Sequence, residues 1–369
     1  MAESAIDGRL RHEEVAHRAE DVGHYLRGTS LNRALEVVGD WWSQRILRES
    51  FLGVRHFEKL QQHLGIPRQT LSLRLKHLVA HRILDDSGDG YRLAPAGLAL
   101  YPWALMMWRW TRDWGSCSRH PEGLLHRDCG CVMTPVFACS ACLAEVTLRD
   151  VDYRPAPLAG AGAAAQSAPG AGSPATAQPA RRRHWTGNRA VVDPAQAGQY
   201  VAFVTADRRT HLILSAIFLG CRTYDRLARE TGFATNILAQ RLALLVDAGF
   251  LVKRRSASDG RRFDYGLTPR GRDVFSVSIA LVQWADRWLP AANGPPMIRH
   301  HRSCGARLHA RVVCSACRAE LLPHAVTGVP AAIAAPAVTG TPAVTGTPAV
   351  THAPAATRAP IDDAMTTAE

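Results

Sequence analysis

The chain has 369 residues, of which 47% are hydrophobic, with a formal net charge of +12 and an isoelectric point near 9.7. That length suits two or three domains rather than one, and the apolar content is ample for ordinary buried cores. The first residues, MAESAIDGRLRHEE, lack the apolar stretch of a secretory signal, and the longest apolar run, LALYPWALMMW, is too short to cross a bilayer; these features exclude a membrane role and place the protein in the cytoplasm. The basic balance points toward polyanions such as nucleic acid, although an unspecialised Arg-rich surface carries the same charge.

Residues 1–27 form a charged N-terminal segment. From residue 30, SLNRALEVVGDWWSQRILRESFLG has Leu31, Leu35, Val38, Trp42, Ile46 and Leu47 at helical spacing with a break near Gly39, which predicts two helices. RHFEKLQQHLG predicts a short helix ending at Gly65, IP a turn, and RQTLSLRLKHLVAHRIL a helix with an apolar stripe of Leu71, Leu75 and Leu78. LDDSGDGYRL then reads as two strands around a turn. A helix-turn-helix followed by a hairpin is a winged helix. In the helix after it, Trp103, Met107, Trp110 and Trp114 share one face, as in a buried helix or a dimer seam.

The same order recurs. Residues 51–84 align without a gap to 218–251, YRLAPAG at 91–97 matches YGLTPRG at 265–271, and Trp110 and Trp114 match Trp284 and Trp288. The fold class expected is therefore α+β, mainly α: two tandem winged helix-turn-helix domains, at 28–118 and 191–292, each followed by a small zinc ribbon, at 119–153 and 293–324. The Ala/Pro/Gly-rich stretch 154–190 reads as a flexible linker. The tail 325–369, with its AVTGTP repeats, reads as disordered.

The ribbons rest on a pattern, H-x2-C-x9-C-x2-C, that occurs twice: His126, Cys129, Cys139 and Cys142, then His301, Cys304, Cys314 and Cys317. In a reducing compartment clustered cysteines are metal ligands or redox thiols. Three thiolates and an imidazole make a closed tetrahedral zinc set, and a ribbon this small has too little core to fold without metal. Two structural Zn2+ per chain are expected, each closing its own local ribbon. Redox thiols, or a motif that has lost its metal, are the other readings. Cys117, Cys131 and Cys221 fall outside the pattern; Cys221, beside Gly220, reads as a small buried hydrophobe, with redox sensing as its alternative.

Each module resembles the HxlR-type winged-helix transcription regulators, bacterial relatives of the MarR group. The marks are ALEVVGDWWSQRILRESFLGVRHFEKL, GIPRQTLSLRLKHL and, in the second module, YGLTPRG after a basic hairpin. Some members of that family have a similar HxxCG...CxxC appendage. Module 2 departs from the pattern with VTADRRTHLIL in place of the Gly-Asp-Trp-Trp segment, and module 1 has a short acidic wing. The resemblance implies a DNA-binding, repressor-like regulator that pairs two modules on pseudo-palindromic DNA, either as a homodimer or as an intramolecular pseudo-dimer. A flexible chain of ~5–6 Å × √n reaches across the ~35 Å between half-sites. A small-molecule effector is a further partner such proteins could have.

In a recognition helix the residues that reach base edges are the polar ones opposite the apolar stripe. Module 1 offers Arg68, Gln69, Thr70, Ser72 and Arg74, and module 2 offers Thr235, Asn236, Gln240 and Arg241. The wing of module 2 carries Lys253, Arg254, Arg255, Arg261 and Arg262 for phosphates, where module 1 has Asp85, Asp86 and Asp89. No catalytic residue is assigned, because no Gly-rich cofactor loop and no nucleophile with a base partner stand out. Two competing readings are an effector- or redox-sensing interaction module in which module 1 has lost DNA binding, and a transferase with a winged-helix dimerisation domain.

Overall fold

The computed structural model describes residues 22–115, 121, 123–156, 207–256, 260–291 and 294–329. Residues 157–190 of the expected linker, residues 330–369 of the tail, and Cys117 lie outside the described residues.

The first module begins with α1 (Val22–Gly28) and α2 (Leu31–Val38), then turns at Gly39 into α3 (Trp41–Phe51). A side chain at Gly39 would sit 2.2 Å from the Leu35 carbonyl oxygen, so only glycine fits the break. Asp40 caps α3 by accepting from the Trp42 and Ser43 amides, at 3.1 Å each. Helix α4 (Phe57–Leu64) ends at Gly65 in the left-handed region, and α5 (Arg68–Ala80) follows. The wing is β1 (Leu84–Asp86) paired antiparallel with β2 (Tyr91–Leu93), leading to α6 (Pro95–Leu98) and α7 (Tyr101–Trp114).

Beyond α7 come β3 (Gly123–His126), β4 (Cys131–Met133), β5 (Pro135–Cys139) and β6 (Val151–Pro155). The second module repeats the helical part as α8 (Arg208–Phe218), α9 (Tyr224–Thr231) and α10 (Thr235–Asp247), with a wing of β7 (Leu251–Arg255) and β8 (Phe263–Leu267). One long helix, α11 (Pro269–Trp288), covers what α6 and α7 cover in module 1, and β9 (Met297–His301), β10 (Ala310–Cys314) and β11 (Val326–Val329) complete the mixed α+β chain. The glycine closing each repeated YxLxPxG motif has a packing reason. A Cβ at Gly97 or at Gly271 would lie 2.1 Å from the carbonyl oxygen of Ile83 or Phe250, which is the close approach of helix to strand that only glycine allows.

The two modules share one core, joined along α7 and α11, with α2 also packed on α11. The seam repeats itself. Trp110 Nε1 donates to the Arg270 carbonyl at 3.0 Å, and Trp284 Nε1 to the Ala96 carbonyl at 2.8 Å, so equivalent residues make equivalent bonds across a pseudo-twofold axis. Trp110 also stacks on Phe250, 5.4 Å between centroids, with the Arg270 guanidinium 5.0 Å from both rings.

The strands beyond the wings cross between modules. β5 pairs with β10, β3 with β11 and with β4, and β6 with β9, all antiparallel. Two sequence expectations need correction here. Residues 326–329, assigned to the disordered tail, form β11, and residues 154–155, assigned to the linker, continue β6. Each gains order from a ladder supplied by the other module, a partner that composition does not reveal. Among the described residues no helix is long and apolar enough to cross a membrane.

Candidate metal centres and nucleic-acid interface

The eight Cys and His residues of the repeated pattern form two clusters, in each of which the ligand atoms lie within 4.8 Å of one another. The clusters are crossed. One holds His126 and Cys129 with Cys314 and Cys317; the other holds His301 and Cys304 with Cys139 and Cys142. The expectation that each motif closes on its own ribbon is overturned, and the strand register supplies the reason. Antiparallel pairing sets Cys139 opposite Ala310 and Cys314 opposite Pro135, so each CxxC turn leaves its strand beside the HxxC turn of the other module. Gly130 and Gly305, at φ +68° and +69°, take the left-handed conformation that closes each HxxC turn.

In the first cluster His126 Nδ1 is 3.3 Å from Cys129 Sγ and 3.4 Å from Cys317 Sγ, and the Cys129 and Cys314 sulfurs are 3.9 Å apart. In the second, His301 Nδ1 is 3.3 Å from both Cys304 and Cys142, and the Cys139 and Cys304 sulfurs are 3.9 Å apart. A tetrahedron with Zn–S bonds of ~2.3 Å and a Zn–N bond of ~2.0–2.1 Å has edges of about 3.8 Å between sulfurs and about 3.6 Å from sulfur to nitrogen. The clusters are within a few tenths of an ångström of those edges, so the donor set fits a four-coordinate ion.

One thiol in each cluster, Cys129 and Cys139, is disposed toward the thiolate a metal takes, whereas the neighbouring thiols raise Cys142 and burial raises Cys314. The Cys131 backbone amide, helped by His126, draws the Cys129 thiol down to about 6. At Cys139 burial opposes ionisation, but the amides of Cys142 and Ala141 outweigh it and lower the pKa. Both imidazoles are fully buried. The Asp128 carboxylate stands 3.4 Å from His126 Nε2 without reaching hydrogen-bond geometry, at the position where an outer carboxylate orients a metal-bound histidine. Cys131 is outside the cluster, its thiol donating to the Cys129 carbonyl at 3.5 Å, and Cys221 is buried in the core.

The apolar stripe of α5, Leu71, Leu75 and Leu78, is buried as the sequence reading expects, and its aligned counterparts in α10, Leu238, Leu242 and Leu245, are buried too. On the opposite face Arg68, Gln69, Thr235, Asn236 and Gln240 are exposed, while Thr70 and Ser72 are half-buried. Arg68 lies 4.9 Å over the Phe57 ring and pairs with Glu58 at 2.9 Å. Two of the candidate base readers are held by the scaffold. Arg74 pairs with Asp40 at 3.2 Å and Arg241 with Asp207 at 2.9 Å; in each module this ties the recognition helix to the acidic cap of the helix behind it. The same exposed face also holds Leu73, 61% exposed, and Lys76, neither of which is among the candidates read from the sequence. Leu73 carried a signal, since it falls off the stripe of Leu71, Leu75 and Leu78.

In the second wing Lys253, Arg254, Arg255, Arg261 and Arg262 are all exposed. Phe263 lies among them, with Lys253 Nζ 4.3 Å and the Arg255 guanidinium 5.7 Å from its ring. The first wing exposes Asp85, Asp86 and Asp89, and Asp89 pairs with Arg92 at 2.6 Å.

Comparison with known proteins places these features in context. The sequence model of the HxlR-like helix-turn-helix matches residues 37–119 and 204–293. Uncharacterised HTH-type transcriptional regulators of Mycobacterium bovis and Mycobacterium tuberculosis are each 37% identical over 127 residues, covering 34% of this chain and 80% of theirs. No solved structure matches.

Proposed function

This chain belongs to the HxlR-like helix-turn-helix family and is a DNA-binding transcriptional regulator, and from that premise we propose that its two modules bind double-stranded DNA as an intramolecular pair fastened by two structural Zn2+ ions. The observation that carries the reading is the crossed ligand sets beside the reciprocal Trp110 and Trp284 bonds. In a two-chain regulator those contacts would join separate subunits; here they join modules 28–118 and 191–292 of one chain.

Helices α5 and α10 enter successive major grooves, α4 and α9 sit behind them on the backbone, and the wings reach the flanking phosphates. Arg74 and Arg241 position their helices through Asp40 and Asp207, so base reading falls to the exposed residues beside them. Zinc supplies no chemistry to a substrate, because four protein ligands leave no open coordination position. It fixes the turns that carry His126, Cys129, Cys314 and Cys317, and their pseudo-symmetric counterparts, and so fixes one module against the other.

A second reading has one observation in its favour. The exposed Asp85 and Asp86 in the first wing would repel phosphate, as expected of a module that assembles without reading DNA. Titrating the intact, zinc-loaded chain with a duplex from beside its own gene, at two salt concentrations, tests the main reading. Salt-dependent binding by one chain per site is expected; no binding, or binding only as a dimer of chains, would sink it.

A further inference from the structure

We infer that this protein recognises a non-palindromic operator made of two unlike half-sites, one read by Gln69, Leu73 and Lys76 of module 1 and the other by Asn236 and Gln240 of module 2. The inference rests on the DNA-binding reading above and deepens it.

The duplication supplies an internal comparison. Superposing the repeats in their aligned register, the positions that build the scaffold are kept. Leu71, Leu75 and Leu78 correspond to Leu238, Leu242 and Leu245, all buried, and the Asp40–Arg74 pair corresponds to Asp207–Arg241. The exposed positions of the same two helices are all different. Arg68, Gln69, Leu73 and Lys76 stand where module 2 has Thr235, Asn236, Gln240 and Ala243. Half-buried Thr70, Ser72 and His77 also correspond to unlike residues, Ile237, Ala239 and Leu244, so the divergence spares the buried leucines and the Asp–Arg tie and takes in the whole face a recognition helix turns toward base edges.

The chemistry of the two faces differs accordingly. Leu73 is 61% exposed and serves no core; its methyl groups suit a thymine C5-methyl, which offers an apolar contact and no hydrogen bond. Gln69, one turn before it, has the donor and acceptor that match adenine N6 and N7, and Lys76 suits guanine or a phosphate. In module 2 Gln240 occupies the place of Leu73 and brings an amide pair for adenine in place of an apolar tip. Asn236, whose Oδ1 accepts from the Ile237 amide at 2.9 Å, keeps its amino group as a donor.

A dimer of identical chains has an exact twofold axis and reads the same half-site twice. Here the axis is only approximate, since the strands and tryptophans obey it and the reading faces do not. The wings extend the asymmetry, with Lys253, Arg254 and Arg255 flanking one half-site and Asp85 and Asp86 the other. The operator therefore has a direction.

The test is selection of bound sequences from a randomised duplex library by the full-length, zinc-loaded chain. The expected result is a bipartite consensus with unlike halves. Leu73→Gln should change base preference in one half alone and weaken binding to the original sequence about tenfold, the discrimination of one good base contact; Gln240→Leu should do so in the other half. A variant whose α5 carries the exposed residues of α10 should shift the consensus toward an inverted repeat. An inverted repeat selected by the unaltered chain, or a single half-site alone, would overturn the inference while leaving DNA binding intact. Equal binding to every duplex would overturn the sequence-reading premise itself.

Discussion

His211 in α8 is fully buried, and neither ring nitrogen has a hydrogen-bond partner among the described residues. Burial alone pushes its pKa down from 6.5 to about 4, because a charged imidazolium has no solvation there. The unfolded chain therefore binds this proton near pH 6.5 and the folded chain only near 4. Between those values the unfolded state holds more protons, so stability is intact above about pH 6.5 and declines as pH falls toward 4. At pH 5 the loss from this one group is roughly 2 kcal/mol. His211→Leu should shrink the drop in melting temperature between pH 7.5 and pH 5, and an unchanged drop would show that the ring is solvated. Gln44 occupies the corresponding place in α3, likewise buried without a partner among the described residues, and does not titrate, so this one source of acid sensitivity has no counterpart in module 1.

At the scale of elements, the two wings differ in length as well as charge. β1 and β2 have three residues each and β7 and β8 have five, which extends the cationic hairpin farther from its helix-turn-helix. Each phosphate contact contributes a salt slope of about 0.9. Replacing Arg254, Arg255, Arg261 and Arg262 with Ala in the full chain should lower that slope by up to about four and weaken binding on all sequences alike. Replacing Asp85, Asp86 and Asp89 with Ser should tighten binding or leave it as it was. Titration on one duplex across a salt series measures both. An unaltered slope in the arginine variant would place the phosphate contacts elsewhere, with Lys76 and Arg68 of α5 as the nearest alternatives.

For the molecule as a whole, crossed ligand clusters make a prediction that local ribbons do not. Cys129→Ser with Cys314→Ser damages a single crossed cluster, so the purified chain should retain about one zinc ion of two. Cys129→Ser with Cys139→Ser damages both clusters and should retain about none. Ribbons closed locally would give the opposite pair of results, which metal analysis of the two double variants distinguishes. Because either cluster draws its ligands from both modules, disrupting one should also loosen the seam at Trp110 and Trp284, which tryptophan fluorescence would register.

The sequence by itself determined whatever depends on near neighbours along the chain. Helical period exposed the stripe of Leu71, Leu75 and Leu78, glycines at 39 and 65 marked the breaks between helices, and the repeated spacing identified all eight residues of the two clusters. It also gave the opposite charges of the two wings. Which of those eight residues meet was decided only in three dimensions. The two motifs share one ligand spacing, so either HxxC turn can complete its set with either CxxC turn, and the spacing alone carries no preference for a local or a crossed partner. The choice falls to the α7–α11 seam, which sets β5 beside β10 and thereby carries Cys139 to Cys304 and Cys314 to Cys129. The same distance in sequence hid the role of Arg74 and Arg241: their partners Asp40 and Asp207 lie more than 30 positions away, too far for any helical period to record.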